Sequence, residues 1–232
     1  MSRSKAEEVT TTIPPLRFAA LTPFYDATVA LLTRERAWRV RMLEMLATRP
    51  GERLLDVGCG TGSFLKLLEG RDLVLAGVDA EAAALAIARG KLGYDVQLLQ
   101  ANALALPCDP GSLDVITSSL FFHHLLPKDK LLCLQEIHRA LRPGGRLLIG
   151  DWGKPLGPVS RAAFFSVQWL DGFATTRDSV TGALPKMIEA CGFAELHEGT
   201  PLLTPTGVVR FWTAVKRAAG VPNEVGPLAS SA

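Results

Sequence analysis

Three glycines at alternate positions, Gly58, Gly60 and Gly62, follow a short apolar run that carries one acid, Leu54-Leu55-Asp56-Val57. Glycine tolerates φ > 0 and lets a ligand touch the backbone. A helix opening after the loop would add free N–H groups and a partial positive charge. Such a loop suits a pyrophosphate or an amino-acid carboxylate. The dinucleotide fingerprint G-x-G-x-x-G is not met, because with Gly58 as the first glycine the third position holds Ser63. Asp56 discriminates further. A carboxylate repels a phosphate and attracts an ammonium or sulfonium. The plain alternative is a glycine-rich turn with Asp56 capping local backbone.

Asp79, in "AGVDA", is placed to accept hydrogen bonds from two ribose hydroxyls. It would equally cap the segment that follows, and the two roles can coexist. Asn102, in "QANALALP", offers a carbonyl to an adenine amino group, and the Ala103 N–H could reach a ring nitrogen. An isolated Asn is also an ordinary turn residue. His123 and His124 follow an apolar stretch and are the candidate bases. The alternative has one of them packing under a ligand or capping the next helix. Asp151 either orients an acceptor or caps a turn. His138 and His197 read as structural or exposed. Cys133 fits a buried helix face.

The elements that must hold these residues alternate. A helix over Ala27–Thr48 stops at "RPGE". Strands are expected at "RLLDV", "LVLAGVD", "DVQLLQA", "SLDVITSS" and "RLLIGDW", with helices at "SFLKLLEG", "EAAALAIARGKLG" and "KDKLLCLQEIHRALRPGG" between them. That alternation means crossover units and a mostly parallel α/β sheet. His123, His124 and Asp151 then lie at its carboxyl edge, where open α/β sheets bind ligands. Beyond Trp152, an insert from Pro155 to Phe173 contains an aromatic-rich helix with Phe164, Phe165, Trp169 and Phe173. It forms either a core or dimer face or an apolar lid. "SVTGALPKMIEACGF" reads as one helix ended by Gly192. "AELHEG" and "GVVRFWTAVKR" read as an antiparallel edge hairpin. The expected organisation is a mobile arm (1–15), one domain (16–217) and a disordered tail (218–232).

The balance of 25 basic and 23 acidic residues gives +2, with no basic block. This argues against nucleic acid as the main partner. The four cysteines contain no C-x-x-C pair, so no metal or disulfide framework is expected. No segment has a signal-peptide pattern or approaches the roughly 20 apolar residues of a membrane span. The expectation is a cytoplasmic protein without membrane insertion, as monomer or homodimer.

"LLDVGCGTGSF", "GVDA", "ANALALP", "SLDVITSSLFFHHL" and "LRPGGRLLIGDWG" resemble, in order and spacing, the class I S-adenosylmethionine-dependent methyltransferases. The resemblance is to their small-molecule branch, which includes the ubiquinone/menaquinone-biosynthesis C-methyltransferases. It spans about Leu54 to Trp152. It implies a Rossmann-like seven-stranded sheet of order 3-2-1-4-5-7-6 with an antiparallel last strand. It implies S-adenosylmethionine as cofactor, with Asp56, Gly58 and Gly60 at the methionine part, Asp79 at the ribose, and Asn102 and Ala103 at the adenine; Cys59, a small residue common at that position in the family, and Ala80 join the cofactor-binding set. Thr117 and Ser118 would contact the cofactor through backbone groups, and Tyr25 of "YDA" would close over it. The family often has Asp at the position of Asn102; Asn keeps the accepting oxygen. The expected activity is methyl transfer to a small acceptor of apolar character. The rivals are an inactive methyltransferase-fold scaffold, an NAD-dependent oxidoreductase, which would want a Tyr-x-x-x-Lys pair, and a nucleic-acid methyltransferase, which would want an Asn-Pro-Pro-Tyr-type motif.

Overall fold

A computed structural model describes residues 34–217. Tyr25, the arm, the tail and the start of the first expected helix lie outside these residues. In chain order the elements are α1 (Glu35–Met45), β1 (Glu52–Val57), α2 (Ser63–Lys66), β2 (Leu73–Asp79), α3 (Ala82–Lys91), β3 (Gln97–Gln100), β4 (Leu113–Ser119), a 3₁₀ turn (Phe122–His124), α4 (Pro127–Ala140) and β5 (Leu141–Trp152). The insert and edge follow as α5 (Pro158–Ala163), α6 (Phe165–Asp171), α7 (Phe173–Thr181), α8 (Leu184–Ala190), β6 (Phe193–Glu198), β7 (Leu202–Thr204) and β8 (Gly207–Lys216).

The sheet runs β3-β2-β1-β4-β5-β8-β6. β1 to β5 are parallel, and β8 is antiparallel to both β5 and β6. The expected order holds once an extra short strand, β7, is counted; it pairs with β8 and makes the sheet eight-stranded. Neighbouring residues of buried strands face opposite sides. Leu54, Leu148 and Phe211 therefore join Trp38 and Met42 in one apolar layer. Leu55, Ile149 and Trp212 join Leu134 and Ile137 in the other. α1 lies close on β5: a Cβ on Gly150 would sit 2.7 Å from the Met42 sulfur.

Four element readings need correction. The helix after the glycine loop keeps regular α geometry for only four residues. α4 ends at Ala140 and the chain is already extended at Leu141, ahead of Pro143. The residue before a proline avoids the α region, so the helix stops earlier than the proline itself. The single helix expected at 179–191 is two, because Gly182 at φ 72 closes α7 and Pro185 opens α8. The aromatic insert folds as α5, α6 and α7, with Gly172 at φ 100 breaking the last two.

The insert is tied down by a buried cation. Lys130 on α4 is 2% exposed, and its Nζ donates to Thr175 O at 2.7 Å and to Asp178 Oδ2 at 3.0 Å. Removing one partner of such a pair leaves an uncompensated charge. Asp178→Leu is expected to lower unfolding stability by about 3 kcal/mol, and Lys130→Met combined with Asp178→Leu to recover most of it. Urea unfolding of the single and double variants checks this; equal losses in both would show that the pair is not coupled.

Candidate active site

The carboxyl ends of β1, β2, β4 and β5 converge on one mouth. Asp56, 1% exposed, receives the Thr117 hydroxyl on Oδ1 at 2.7 Å, while its Oδ2 is buried with no hydrogen-bond partner. Burial pushes this carboxyl up to about 7; the Asp79 charge adds to the rise, against the pull of Thr117 and Arg39. Ser118 Oγ donates to Val57 O at 2.9 Å, so the side chains of Thr117 and Ser118 lock β4 to β1.

The loop turns with Gly58 at φ 70. A Cβ there would lie 2.3 Å from Cδ2 of Phe121, so the glycine is needed for space as well as for conformation. The N–H groups of Gly58 and Cys59 donate to Val78 O at 2.9 and 3.1 Å. The Gly60 N–H donates to Asp79 Oδ2 at 2.8 Å, and the Glu81 N–H to Asp79 Oδ1 at 2.9 Å. Asp79 thus pins the loop and the start of α3 together, and each oxygen keeps a further lone pair. The Cys59 sulfur lies against Gly77, where an added Cβ would be 2.8 Å away. Burial raises this thiol, which stays protonated. Ala80 is exposed and accepts from Gln100 Nε2 through its carbonyl at 3.2 Å. Asn102 makes the turn reading real: its Oδ1 accepts the Leu104 N–H at 2.9 Å, beside the buried Ala103.

Across the mouth, Leu120 at φ 48 turns the chain sharply out of β4. It sends Phe121 onto the glycine loop and His123 toward β5. His123 is 4% exposed; its Nδ1 is 2.7 Å from Asp151 Oδ1, and its backbone N–H donates to Asp151 Oδ2 at 3.2 Å. A carboxylate only accepts, so Nδ1 carries the proton. Asp151 also takes the Trp152 N–H at 2.6 Å. The other nitrogen, Nε2, is 3.6 Å from Asp171 Oδ2 at the end of α6, and His124 Nδ1 is 3.9 Å from Asp171 Oδ1. Neither histidine caps α4, whose N-cap is Leu126.

The charges follow from these contacts. Burial works against the His123 imidazolium, but Asp151 and Asp171 outweigh it and hold the pKa above 6.5. Burial would raise Asp151, yet His123 holds it below the ordinary carboxylate value. Burial raises Asp171, with His123 pulling back. His124, partly exposed, is pushed down to about 3 by desolvation of its ring and then by the His123 cation beside it, and stays neutral. His138 packs edge-on against Phe193, and His197 is exposed on β6.

Three residues escaped the sequence reading. Asp171 lies 48 positions from His123, and nothing local marks it. Phe121, in an apolar stretch, and Lys130, on the helix that follows, carry no local mark either. The aromatic insert divides: Phe164 is 1% exposed, while Phe165, Trp169 and Phe173 are exposed. The four cysteines are free thiols at separate places.

A parallel sheet with an acid at the first strand's end, a glycine loop and an acid at the second defines a nucleoside-cofactor enzyme. The unpartnered oxygen of Asp56 fits a ligand with a cationic amino-acid end. The Methyltransferase domain family model matches residues 55–149. A demethylmenaquinone methyltransferase of Thermus thermophilus is 32% identical over 185 residues, covering 75% of this chain and 83% of that protein. The ubiquinone/menaquinone biosynthesis C-methyltransferase UbiE of Teredinibacter turnerae is 34% identical over 206 residues, covering 71% and 81%. The match to its counterpart in Hahella chejuensis, 32% identical, covers 62% of each. A possible histamine N-methyltransferase of Thermotoga maritima superposes with TM-score 0.65 at 18% identity, over 84% of this chain and 96% of that one. The chain belongs to the class I S-adenosylmethionine-dependent methyltransferases, in the family that holds these quinone-pathway enzymes.

Proposed function

We propose that the protein methylates a small apolar acceptor bearing an ionisable ring hydroxyl, with a demethylated quinol as the first candidate. The observation that carries this is the buried Asp151–His123 pair at the mouth, facing Asp171. The relatives' names supply the candidate. S-adenosylmethionine, when bound, supplies a methyl group already activated on a sulfonium, so positioning does much of the work.

In this reading Asp56 faces the ammonium of the methionine part, beside Gly58, Cys59 and Gly60. Asp79 with Ala80 takes the ribose, and Asn102 with Ala103 the adenine; Thr117 and Ser118 hold the floor. Tyr25 would close over the cofactor. His123 takes the acceptor's hydroxyl proton while Asp151 fixes the imidazole through Nδ1. The resulting phenolate would push electron density to the ring carbon, making it the nucleophile for the activated methyl group of bound S-adenosylmethionine, with S-adenosylhomocysteine as the leaving group. The ring proton at that carbon then leaves to solvent or base.

Incubation with methyl-labelled cofactor and a short-chain demethylated naphthoquinol, kept reduced, is expected to place label on ring carbon. Label on oxygen, or none with a bound cofactor, would contradict the acceptor assignment. His123, His124 and Asp171 each offer a donor atom within 4.8 Å of the others, the spacing a bridging cation would use. The assay is therefore run with and without chelator. Unchanged turnover is expected; activity restored only by added divalent metal would replace the proton-transfer role.

A further inference from the structure

Six of the thirteen large apolar side chains exposed among the described residues fall between positions 156 and 173: Leu156, Val159, Phe165, Trp169, Leu170 and Phe173. Val159 is 83% exposed and Trp169 72%. Phe165, Trp169 and Phe173 form a connected surface. Phe165 and Trp169 are one turn apart on α6, Phe165 meets Phe173 edge-on at 5.5 Å, and Phe173 is one turn from Arg177 on α7.

The charges of the same stretch are segregated. Its only acids between 153 and 181 are Asp171, turned to the histidines, and Asp178, bonded to Lys130. Its basic residues are Lys154, Arg161 and Arg177, of which Lys154 and Arg177 are exposed and Arg161 is half-buried. The outward charge is therefore positive around an aromatic face. No helix among the described residues is long and apolar enough to cross a membrane.

We infer that the α5–α7 insert docks on a lipid surface, with the aromatic side chains at the acyl boundary and the basic side chains on anionic headgroups. Tryptophan and phenylalanine with a basic rim suit that interface. A second copy is the poorer occupant, because it would bring two basic rims together. The inference does not depend on which acceptor is methylated.

The test is flotation of the full chain with vesicles of phosphatidylcholine containing phosphatidylglycerol, and with phosphatidylcholine alone. Wild type is expected to float with the anionic vesicles and to be released by salt. Trp169→Ser combined with Leu170→Ser is expected to lose about tenfold in partition, with circular dichroism and S-adenosylmethionine affinity unchanged. No flotation, equal flotation with both compositions, or equal flotation of the variant would overturn the inference. So would wild-type dimers in light scattering that the double variant abolishes, since the face would then belong to a second copy.

Discussion

Replacing His123 with glutamine is expected to lower kcat by roughly two to four orders of magnitude while S-adenosylmethionine affinity stays within about twofold. The side chain is buried against Asp151 and faces Asp171. Its loss therefore removes proton transfer and leaves cofactor contacts in place. The pH profile gives the sharper readout. Asp151 and Asp171 hold the His123 imidazolium above 6.5 against its burial, so the neutral base forms only as pH rises past that value. Wild-type kcat should climb through a midpoint above 6.5. Asp171→Asn withdraws one of the two carboxylates, so the midpoint should move to lower pH. A profile unmoved in Asp171→Asn, or near-normal turnover in His123→Gln, would remove His123 from the reaction.

Asp56→Asn is expected to weaken S-adenosylmethionine binding on the order of 100-fold, the loss of one charge-assisted contact, and at the same time to stabilise the cofactor-free protein at alkaline pH. The carboxyl is fully buried, half of it unpartnered, and sits at about 7 instead of 3.8. A carboxyl raised on folding supports the folded state below its unfolded value and loses that support as pH rises through the folded one. By pH 8 the buried carboxylate costs about 4 kcal/mol. Thermal unfolding should therefore favour the variant at pH 8, with the difference shrinking toward pH 4. Cofactor affinity of wild type should run the other way, falling about tenfold for each pH step below 7 as Asp56 takes up a proton. The same residue would then limit stability and supply affinity, because the cation it was buried to meet belongs to the ligand. A variant less stable than wild type at pH 8 would contradict this reading of Asp56.

Much of this site was legible because its parts are local. Asp56, the three glycines and Asp79 lie within 24 residues, on two adjacent strands whose apolar runs are plain in the sequence. His123, His124 and Asp151 came together because both segments end strands of one parallel sheet. What stayed hidden depended on long-range packing or on short elements. Asp171 reaches the histidines from the insert, which Lys130 and Asp178 tie to α4. β7 is three residues between Pro201 and Pro205, too short for any alternation to register. The one-turn α2 looked longer because Leu65, Leu67 and Leu68 keep apolar spacing past its end. The break at Gly182 was written in "TGALP", but the apolar periodicity on either side outweighed it. α2 itself, a helix of four residues, has little macrodipole.

The decisive measurement is calorimetric titration of the whole chain at pH 8 with S-adenosylmethionine, S-adenosylhomocysteine and NAD. Binding of both sulfur compounds, with the charged one losing affinity in Asp56→Asn and NAD showing no heat, is the expected result. Binding of NAD, or of neither sulfur compound, would contradict the assignment of this glycine loop.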